Sequence, residues 1–254
     1  MQAFSNNSKN NITVSIIIVV YNAKSTITQA IQSVIDQVGS FELVIIDGGS
    51  TDGTVDVIKD YENEIDFWVS EPDNGIYDAM NKGVKNSNGK WIYFLGADDV
   101  LNPDVINRIQ PILIDSKCAL VYGDIKYTNG GFFKSHYSFI TYIQNTIHHQ
   151  AAFYNRSLFD NFAYDIKMRI ISDYELNLII YLNKSKYQRI NVTVATCSKD
   201  GRSRNPKLSY KETNIIRQKY LKGYLELSSR LLLGTKFIVM TLYRFIKKNS
   251  HRYS

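Results

Sequence analysis

The feature that most constrains the fold is a pair of apolar runs, each of which stops on carboxylates. Residues 42–47 read ELVIID, and residues 91–99 read WIYFLGADD. Both runs have the length and two-sided apolarity of strands buried in a parallel sheet. Asp47, Asp98 and Asp99 then lie at the carboxyl edge of the sheet, where open α/β sheets bind ligands. Because unpaired carboxylates beside a core are costly, this placement predicts a cationic partner, such as a divalent metal that carries a nucleotide diphosphate.

Apolar strands alternate with amphipathic segments over the first hundred residues. Residues 14–20, 42–47, 67–70 and 91–95 are predicted strands, and the segments between them carry apolar residues at helical spacing. This alternation predicts an α/β fold with a mostly parallel sheet, flanked by helices and joined by right-handed crossovers.

Two later helices have predicted boundaries. Asn102 is a predicted N-cap with a proline after it, and Pro111 is predicted to end that helix early. Ser172 followed by Glu175 predicts a capping box that opens a helix over residues 173–182.

Length and composition favour one domain with an appendage. The 254 residues suit a polar leader over 1–11, an α/β domain over 12–206 and a helical basic tail over 207–254. The leader lacks the charged start and apolar core of a signal peptide, and Cys118 and Cys197 match no metal-ligand or redox spacing. We therefore expect a reducing, cytoplasmic location.

The basic character of the chain belongs to its tail. Residues 199–254 hold 14 Lys/Arg against 3 Asp/Glu, which favours an anionic partner such as lipid headgroups, substrate phosphates or nucleic acid, or else a merely solvated face. Residues 231–246 are strongly apolar but are interrupted by Lys236 and Arg244, so they fall short of a bilayer span. An amphipathic helix at an anionic membrane surface and a helix packed on the domain are both open.

Four segments, taken in order, resemble the donor half of the family 2 glycosyltransferases, which have the GT-A nucleotide-sugar fold. They are SIIIVVYNAKSTITQAIQSVIDQ, ELVIIDGGSTDGT, EPDNGIYDAMNKGV and WIYFLGADD. The resemblance covers about residues 14–205 and is densest up to Asp104. It implies a GT-A type, Rossmann-like fold and the transfer of a sugar from a nucleotide diphosphate.

The resemblance implies a set of donor contacts. Val20, Tyr21 and Asn22 line the base pocket, and Asp47 accepts a hydrogen bond from the uracil or ribose. The glycines after Asp47 also suit a close approach of ligand and backbone, although the carboxylate could instead cap its own turn. Asp73 and Asn74 resemble further donor contacts, and an Asx-type turn explains them nearly as well.

The acids at residues 98 and 99 resemble the metal site of the family, with one difference. Family members usually carry Asp-x-Asp, and Gly96 stands where the first acid belongs. Asp98 corresponds to the metal-binding acid and Asp99 is adjacent, so Mg²⁺ or Mn²⁺ could be held by carboxylate, diphosphate oxygens and water. The alternative is that both acids cap the helix predicted at Asn102.

The remaining site residues come from the second half of the chain. Asp173 resembles the catalytic base of the family, although an acid in the first turn of a helix also suits the macrodipole. His149 and Gln150, which follow His148, resemble a segment near the acceptor or the diphosphate. Arg202 and Arg204 lie where family members have a loop over the donor, and their forked side chains suit diphosphate oxygens.

These features predict an inverting, metal-dependent glycosyltransferase that moves a sugar from a UDP-sugar to a saccharide hydroxyl. The expected acceptor is a lipid-linked glycan at the inner face of the cytoplasmic membrane, as in bacterial polysaccharide assembly such as O-antigen or capsule. The first alternative is an inactive nucleotide-sugar-binding module. The second is a sugar-nucleotide nucleotidyltransferase, which YNAKST disfavours because it has no glycine and only Lys24 as a cation. No nucleic-acid-binding motif is recognisable, so no nucleic-acid partner is predicted.

Overall fold

A computed structural model describes residues 12–198 and 205–250 of the protein. Its helices flank one sheet of nine strands. The strands are β1 (Val14–Val20), β2 (Phe41–Asp47), β3 (Phe67–Ser70), β4 (Trp91–Gly96), β5 (Val100–Leu101), β6 (Leu120–Tyr127), β7 (Phe132–Phe133), β8 (Ala152–Asn155) and β9 (Tyr187–Cys197). The helices are α1 (Ile27–Ile35), α2 (Thr54–Asp60), α3 (Ile76–Lys85), α4 (Val105–Asp115), α5 (Ser172–Leu182), α6 (Pro206–Tyr220) and α7 (Gly223–Ser250).

The sheet has the order β3-β2-β1-β4-β8-β6-β9-β5, and β7 pairs with β6. The longest pairings, β1 with β2 and with β4 and β6 with β9, are parallel, whereas the short strand β8 runs antiparallel to both β4 and β6. The predicted α/β fold with a mostly parallel sheet is confirmed. The direction of β8 could not be predicted from the local sequence pattern.

The register brings the carboxyl ends of the first strands to one edge. Val20 pairs with Asp47, Val19 with Gly96, and Asp47 with Ser70. The apolar runs are long because both faces of these strands are covered. The even-numbered side chains of β1, such as Ile16, pack in a core beneath α1 and α4. The odd-numbered apolar side chains of β1 point to the opposite face and pack in a second core beneath α3 and α5.

The predicted boundaries of α4 were wrong. The helix begins at Val105, after Asp104 in the left-handed region at φ 61°, and it continues through Pro111 to Asp115. Asn102 instead joins β5 to β9, because its side chain donates to the carbonyl oxygen of Thr193. Burial of Leu113 in the core beyond the proline explains why tertiary packing outweighs the local penalty of Pro111.

The predicted capping box at the start of α5 was also wrong. Ser172 is the first residue of α5, and its hydroxyl accepts the backbone N–H of Asp165. Glu175 is buried and turns toward α6, where it accepts hydrogen bonds from Lys219 and Tyr220. These two hydrogen-bond donors on α6 therefore determine the position of the Glu175 carboxylate.

The tail forms two helices, and α7 packs on α6. Arg217 of α6 is buried and donates to the carbonyl oxygens of Tyr142 and Glu226 and to the hydroxyl of Ser229. Leu233 is buried on the same side of α7. No helix among the described residues is both long enough and apolar enough to cross a bilayer.

The opposite side of α7 is exposed and apolar. Tyr224, Leu231, Val239 and Leu242 are each more than half exposed and lie within about 80° of one another around the helix axis. We refer to these four residues as the α7 stripe. The structure thus combines the two alternatives for the tail, since α7 packs on the domain and still presents an apolar face.

Candidate active site

Asp47 organises the turn that follows β2. Its side chain is fully buried and accepts hydrogen bonds from the N–H groups of Gly49 (3.0 Å) and Ser50 (2.9 Å). The hydroxyls of Ser50 (2.5 Å) and Ser70 (2.6 Å) donate to it as well. Four donors satisfy the carboxylate, so the structure gives Asp47 the role of holding this turn in place. A contact with uracil or ribose stays a prediction.

The loop after β1 is joined to the same turn. The backbone N–H of Asn22 donates to the hydroxyl of Ser50 (2.7 Å), and the side-chain oxygen of Asn22 accepts the N–H of Thr51 (2.9 Å). Asn22 adopts the left-handed region at φ 51°, which asparagine tolerates better than most residues. Val20 is buried and Tyr21 is half exposed at this edge, so a base pocket here stays a prediction.

The EPDNG loop folds onto the same turn. Asp73 accepts the N–H of Gly75 (2.8 Å), and its other oxygen lies where a side chain at Gly48 would be, so Gly48 makes this approach possible. Asn74 is exposed, and its backbone and side-chain N–H groups donate to Asp78 (2.9 and 3.1 Å). The Asx-type turn is therefore present, and direct contacts of Asp73 and Asn74 with a donor stay predictions.

The two adjacent acids after β4 have different environments. Asp98 is exposed, whereas Asp99 is only 5% exposed and accepts the backbone N–H of Ser198 (2.9 Å). Burial, followed by repulsion from Asp98, raises the pKa of Asp99 to about 6, although hydrogen bonds from Ser198, Cys197 and Gln150 oppose that rise. Neither acid caps α4, which begins at Val105, so that alternative is wrong.

Gly96 explains why the usual first acid is missing. A Cβ atom at this position would lie 2.5 Å from a carboxylate oxygen of Asp99 and 3.2 Å from one of Asp98. The inward-facing carboxyl group of Asp99 thus uses the space that a side chain at position 96 would need. Only Asp98 is left open to solvent, and one exposed carboxylate suits a hard cation that also binds diphosphate oxygens and water. Among residues 12–198 and 205–250, no three His, Cys, Asp or Glu side chains cluster to hold a metal.

Asp173 lies in a polar pocket at the start of α5. The side-chain amide of Asn145 donates to one carboxylate oxygen (2.7 Å), and the hydroxyl of Tyr77 approaches the other (3.5 Å). Burial raises the pKa of Asp173 to about 6, against the effect of these hydrogen bonds and of backbone N–H groups at the helix start. Sequence reasoning missed Tyr77 and Asn145, because nothing local marks them and only the fold brings α3 and the loop before β8 to α5.

His149 lies in an aromatic environment beside this pocket. Its ring centroid is 5.0 Å from that of Phe94 and 6.4 Å from that of Tyr164. Burial lowers its pKa to about 3, and the pKa of the adjacent His148 to about 4, so both imidazoles are neutral near neutral pH. A neutral His149 can exchange a hydrogen bond with a substrate but carries no positive charge. Its contact with acceptor or diphosphate stays a prediction.

Gln150 connects the histidines to the strand-end acids. Its side chain lies close enough to His148 and Asp99 to oppose the effect of burial on the pKa of each, and its carbonyl oxygen accepts the hydroxyl of Tyr93 (3.1 Å). The structure therefore brings Gln150 to the sheet edge that carries Asp98 and Asp99. Its contact with the acceptor or the diphosphate stays a prediction. Arg202 and Arg204 lie outside the described residues.

Comparison with known proteins identifies the family of the chain. Residues 15–172 match the family model described as "Glycosyl transferase family 2". A "PGL/p-HBAD biosynthesis glycosyltransferase" of Mycobacterium bovis is 32% identical over 246 residues, which cover 92% of this chain and 91% of that protein.

Solved structures share the fold. S. aureus TarS 1-349 in complex with UDP-GlcNAc has a TM-score of 0.68 at 20% identity and covers 89% of this chain and 71% of that one. Another crystal structure of S. aureus TarS gives the same score, and there the match spans 43% of that chain. The mannosyltransferase PcManGT of Pyrobaculum calidifontis, in complex with GDP-Man and Mn²⁺, has a TM-score of 0.64 at 14% identity, over 89% of this chain and 70% of that one. The predicted GT-A fold is confirmed, and the chain belongs to glycosyl transferase family 2, a family of nucleotide-sugar-dependent glycosyltransferases.

Proposed function

We propose that this glycosyltransferase moves a sugar from a UDP-linked donor to a saccharide hydroxyl, with inversion at the anomeric carbon. The observation that carries the proposal is the partly buried carboxylate of Asp173, held by Asn145 beside the edge where β1, β2 and β4 end. In a single displacement the acceptor oxygen attacks the anomeric carbon as the diphosphate leaves from the opposite face, and one base takes the hydroxyl proton. One displacement inverts the configuration.

The raised pKa of Asp173 suits this role. An ordinary Asp has a pKa near 4 and is a weak proton acceptor. With a pKa of about 6, Asp173 is still mostly ionised near neutral pH but binds a proton more readily. The hydrogen bonds from Asn145 and Tyr77 orient the carboxylate, and the surrounding side chains limit access of water to it.

Asp98 is the residue proposed to hold Mn²⁺ or Mg²⁺. Its carboxylate is exposed at the end of β4, and PcManGT, which shares the fold, is described in complex with Mn²⁺. A bound metal ion neutralises charge that develops on the leaving diphosphate. Asp99 contributes by holding the end of β9 against this edge, through its hydrogen bond from Ser198.

The UDP-linked donor is supported by TarS, which is described in complex with UDP and with UDP-GlcNAc. The proposed acceptor is a lipid-linked glycan of bacterial polysaccharide assembly, and the M. bovis relative is named for the biosynthesis of PGL/p-HBAD. The α7 stripe suits attachment to an anionic membrane surface, because apolar residues bury in the interface while the basic residues of the tail face headgroups.

The catalytic proposal is tested by presenting a panel of nucleotide sugars with Mn²⁺ to the purified full chain. A bound donor raises the melting temperature, and transfer is followed by release of UDP. We expect a UDP-sugar to stabilise the protein, and the Asp98→Asn variant to lose that stabilisation while its own melting temperature stays unchanged. Donor binding with no turnover on any saccharide acceptor would instead favour the inactive binding module.

The membrane proposal is tested by flotation of the full chain with vesicles of anionic or neutral phospholipid. The paired change Leu231→Gln and Val239→Gln adds two polar side chains to the α7 stripe without touching buried Leu233. We expect this variant to lose most flotation with anionic vesicles. Val38→Gln, at an equally exposed apolar residue after α1, is the matched control and keeps full flotation. Equal flotation of both variants contradicts the proposal.

A further inference from the structure

Glu212 of α6 is a buried carboxylate that the proposed chemistry does not use. It is 3% exposed, and its two oxygens accept the backbone N–H groups of Arg169 (2.8 Å), Ile170 (2.9 Å) and Ile171 (3.1 Å). A charge removed from water is costly, and three charge-assisted hydrogen bonds at the amino end of a helix offset that cost. The carboxylate thereby fixes three consecutive peptide groups.

The segment that Glu212 holds leads directly into α5. Asp173 follows Ile171 by two residues, so the position of its carboxylate depends on where residues 169–171 are held. Glu212 also contributes to the raised pKa of Tyr77, which places its charge near the Asp173 pocket. A residue of the tail thus determines the geometry at the start of α5.

The same segment carries a cation to the loop at the sheet edge. Arg169 is exposed, and its Nη1 atom lies 3.3 Å from the position that a Cβ atom of Gly75 would occupy. Gly75 adopts φ 117°, which favours glycine, and its N–H donates to Asp73. Within the described parts of the chain, the guanidinium of Arg169 has no hydrogen bond or ion pair. Glu212 therefore holds the backbone of Arg169, and the exposed guanidinium is available to a ligand.

We infer that Glu212 is a positioning residue, and that the segment it holds directs the Arg169 guanidinium to the diphosphate of the nucleotide sugar. The inference rests on the proposed function and names a further contact of the same site. Guanidinium binds phosphate oxygens through two parallel N–H bonds, and that geometry requires a fixed backbone. Glu212 supplies the fixed backbone for Arg169 and, through the same three hydrogen bonds, for Asp173.

The test is a titration of UDP and Mn²⁺ into full-length variants, followed by calorimetry. Arg169→Gln is expected to weaken UDP binding by about tenfold or more, as the loss of a charged hydrogen-bonding group predicts. Lys167→Gln, which removes an exposed cation two residues away, is the matched control and should change binding less than about twofold. Glu212→Gln should weaken binding as well, because an amide cannot accept three N–H groups with one oxygen.

The coupling between the changes at Glu212 and Arg169 distinguishes a positioning role of Glu212 from general destabilisation of the protein. If Glu212 acts through Arg169, the double variant binds UDP no more weakly than Arg169→Gln alone. Glu212→Gln should also move the inflection of kcat/KM with pH away from about 6, the pKa of Asp173, whereas Arg169→Gln should leave it in place. If Glu212 has only a structural role, Glu212→Gln lowers the melting temperature but changes neither UDP binding nor the pH at which kcat/KM inflects.

Three results overturn the inference. They are unchanged UDP binding by Arg169→Gln, an equal loss in Lys167→Gln, and additive losses in the double variant. If the parent chain binds UDP and Arg169→Gln binds it equally well, only this inference fails; if the parent binds no UDP, the proposed function fails with it. Should Glu212→Gln not fold, Arg169→Gln still decides whether the cation contacts the ligand, because it changes an exposed side chain.

Discussion

The amino and carboxyl edges of the sheet both contain buried carboxylates, but these carboxylates differ in how fully hydrogen-bond donors satisfy them. At the amino edge, Glu42 accepts the hydroxyl of Ser15 (2.7 Å), the N–H of Gly89 (3.0 Å) and two donors of Asn88. Arg156 completes this network through the carbonyl oxygen of Gly89 and the same serine hydroxyl. Donors of the protein thus satisfy the Glu42 carboxylate.

At the carboxyl edge, the acids are divided between two roles. Asp47 resembles Glu42, since four donors satisfy it. Asp99 is buried and Asp173 is partly buried, and burial raises the pKa of each to about 6 despite their hydrogen bonds, while Asp98 remains exposed. Fully satisfied carboxylates hold the fold in place, and incompletely compensated ones are free to bind protons or cations. Residue type alone does not distinguish these roles.

The contrast between the two edges of the sheet fails most clearly if Asp173 has only a structural role. Asp173→Asn removes the proton acceptor and keeps the side-chain shape, so we expect kcat to fall by about 10²- to 10⁴-fold, the usual contribution of a general base. Binding of UDP and the melting temperature should stay within the range of the parent. Both are measured beside initial transfer rates.

The exposed acid Asp115, at the end of α4, offers the control for that experiment. Asp115→Asn makes the same chemical change far from the edge and should leave the rate unchanged. A rate for Asp173→Asn close to that of the control would remove Asp173 from the catalytic role.

At the amino edge the expected effect is on stability. Glu42→Ala leaves the donors of Ser15 and Asn88 unsatisfied in a buried network, so the free energy of unfolding should fall by about 3 kcal/mol. Urea denaturation measures this change. The rate per folded molecule should be unaltered, and a selective loss of activity without loss of stability would show that the two edges are not separate.

The pH dependence of stability tests the same contrast between the two edges, and its expected effect is smaller. The pKa of Asp99 in the folded chain, about 6, is raised above the ordinary value of 3.8. Its contribution to stability is therefore complete below pH 3.8 and is lost as the pH rises through about 6. Asp99→Asn cannot ionise and avoids this loss.

We expect the unfolding free energy of Asp99→Asn, relative to the parent, to increase by about 2 kcal/mol between about pH 4 and about pH 8. Urea titrations of both proteins at each pH measure the difference, and they cancel the contributions of Asp173 and the histidines. A constant difference across this range would show that Asp99 is not held in a desolvated site.

Much of the donor half was predictable because its signals are local. The runs at β1, β2 and β4 are apolar on both faces, and a strand that is buried on both faces must end before its acids, so Asp47 and Asp98 were placed at the edge without a structure. The loops EPDNG and GGST were recognisable because glycine, proline and aspartate determine turn geometry. Asp173 was placed at a helix start by its position in the family pattern.

Only the tertiary structure decided which acids are satisfied, because that depends on donors far away in sequence. Asp99 turns inward because Gly96 leaves space and Ser198 supplies a donor, and α4 continues through Pro111 because the core buries Leu113 beyond it. Glu212 is 39 residues from Asp173 in sequence, yet its carboxylate holds the segment that leads to Asp173. The sequence by itself determined where strands end and which side chains can carry charge, whereas long-range packing decided which of those charges are compensated.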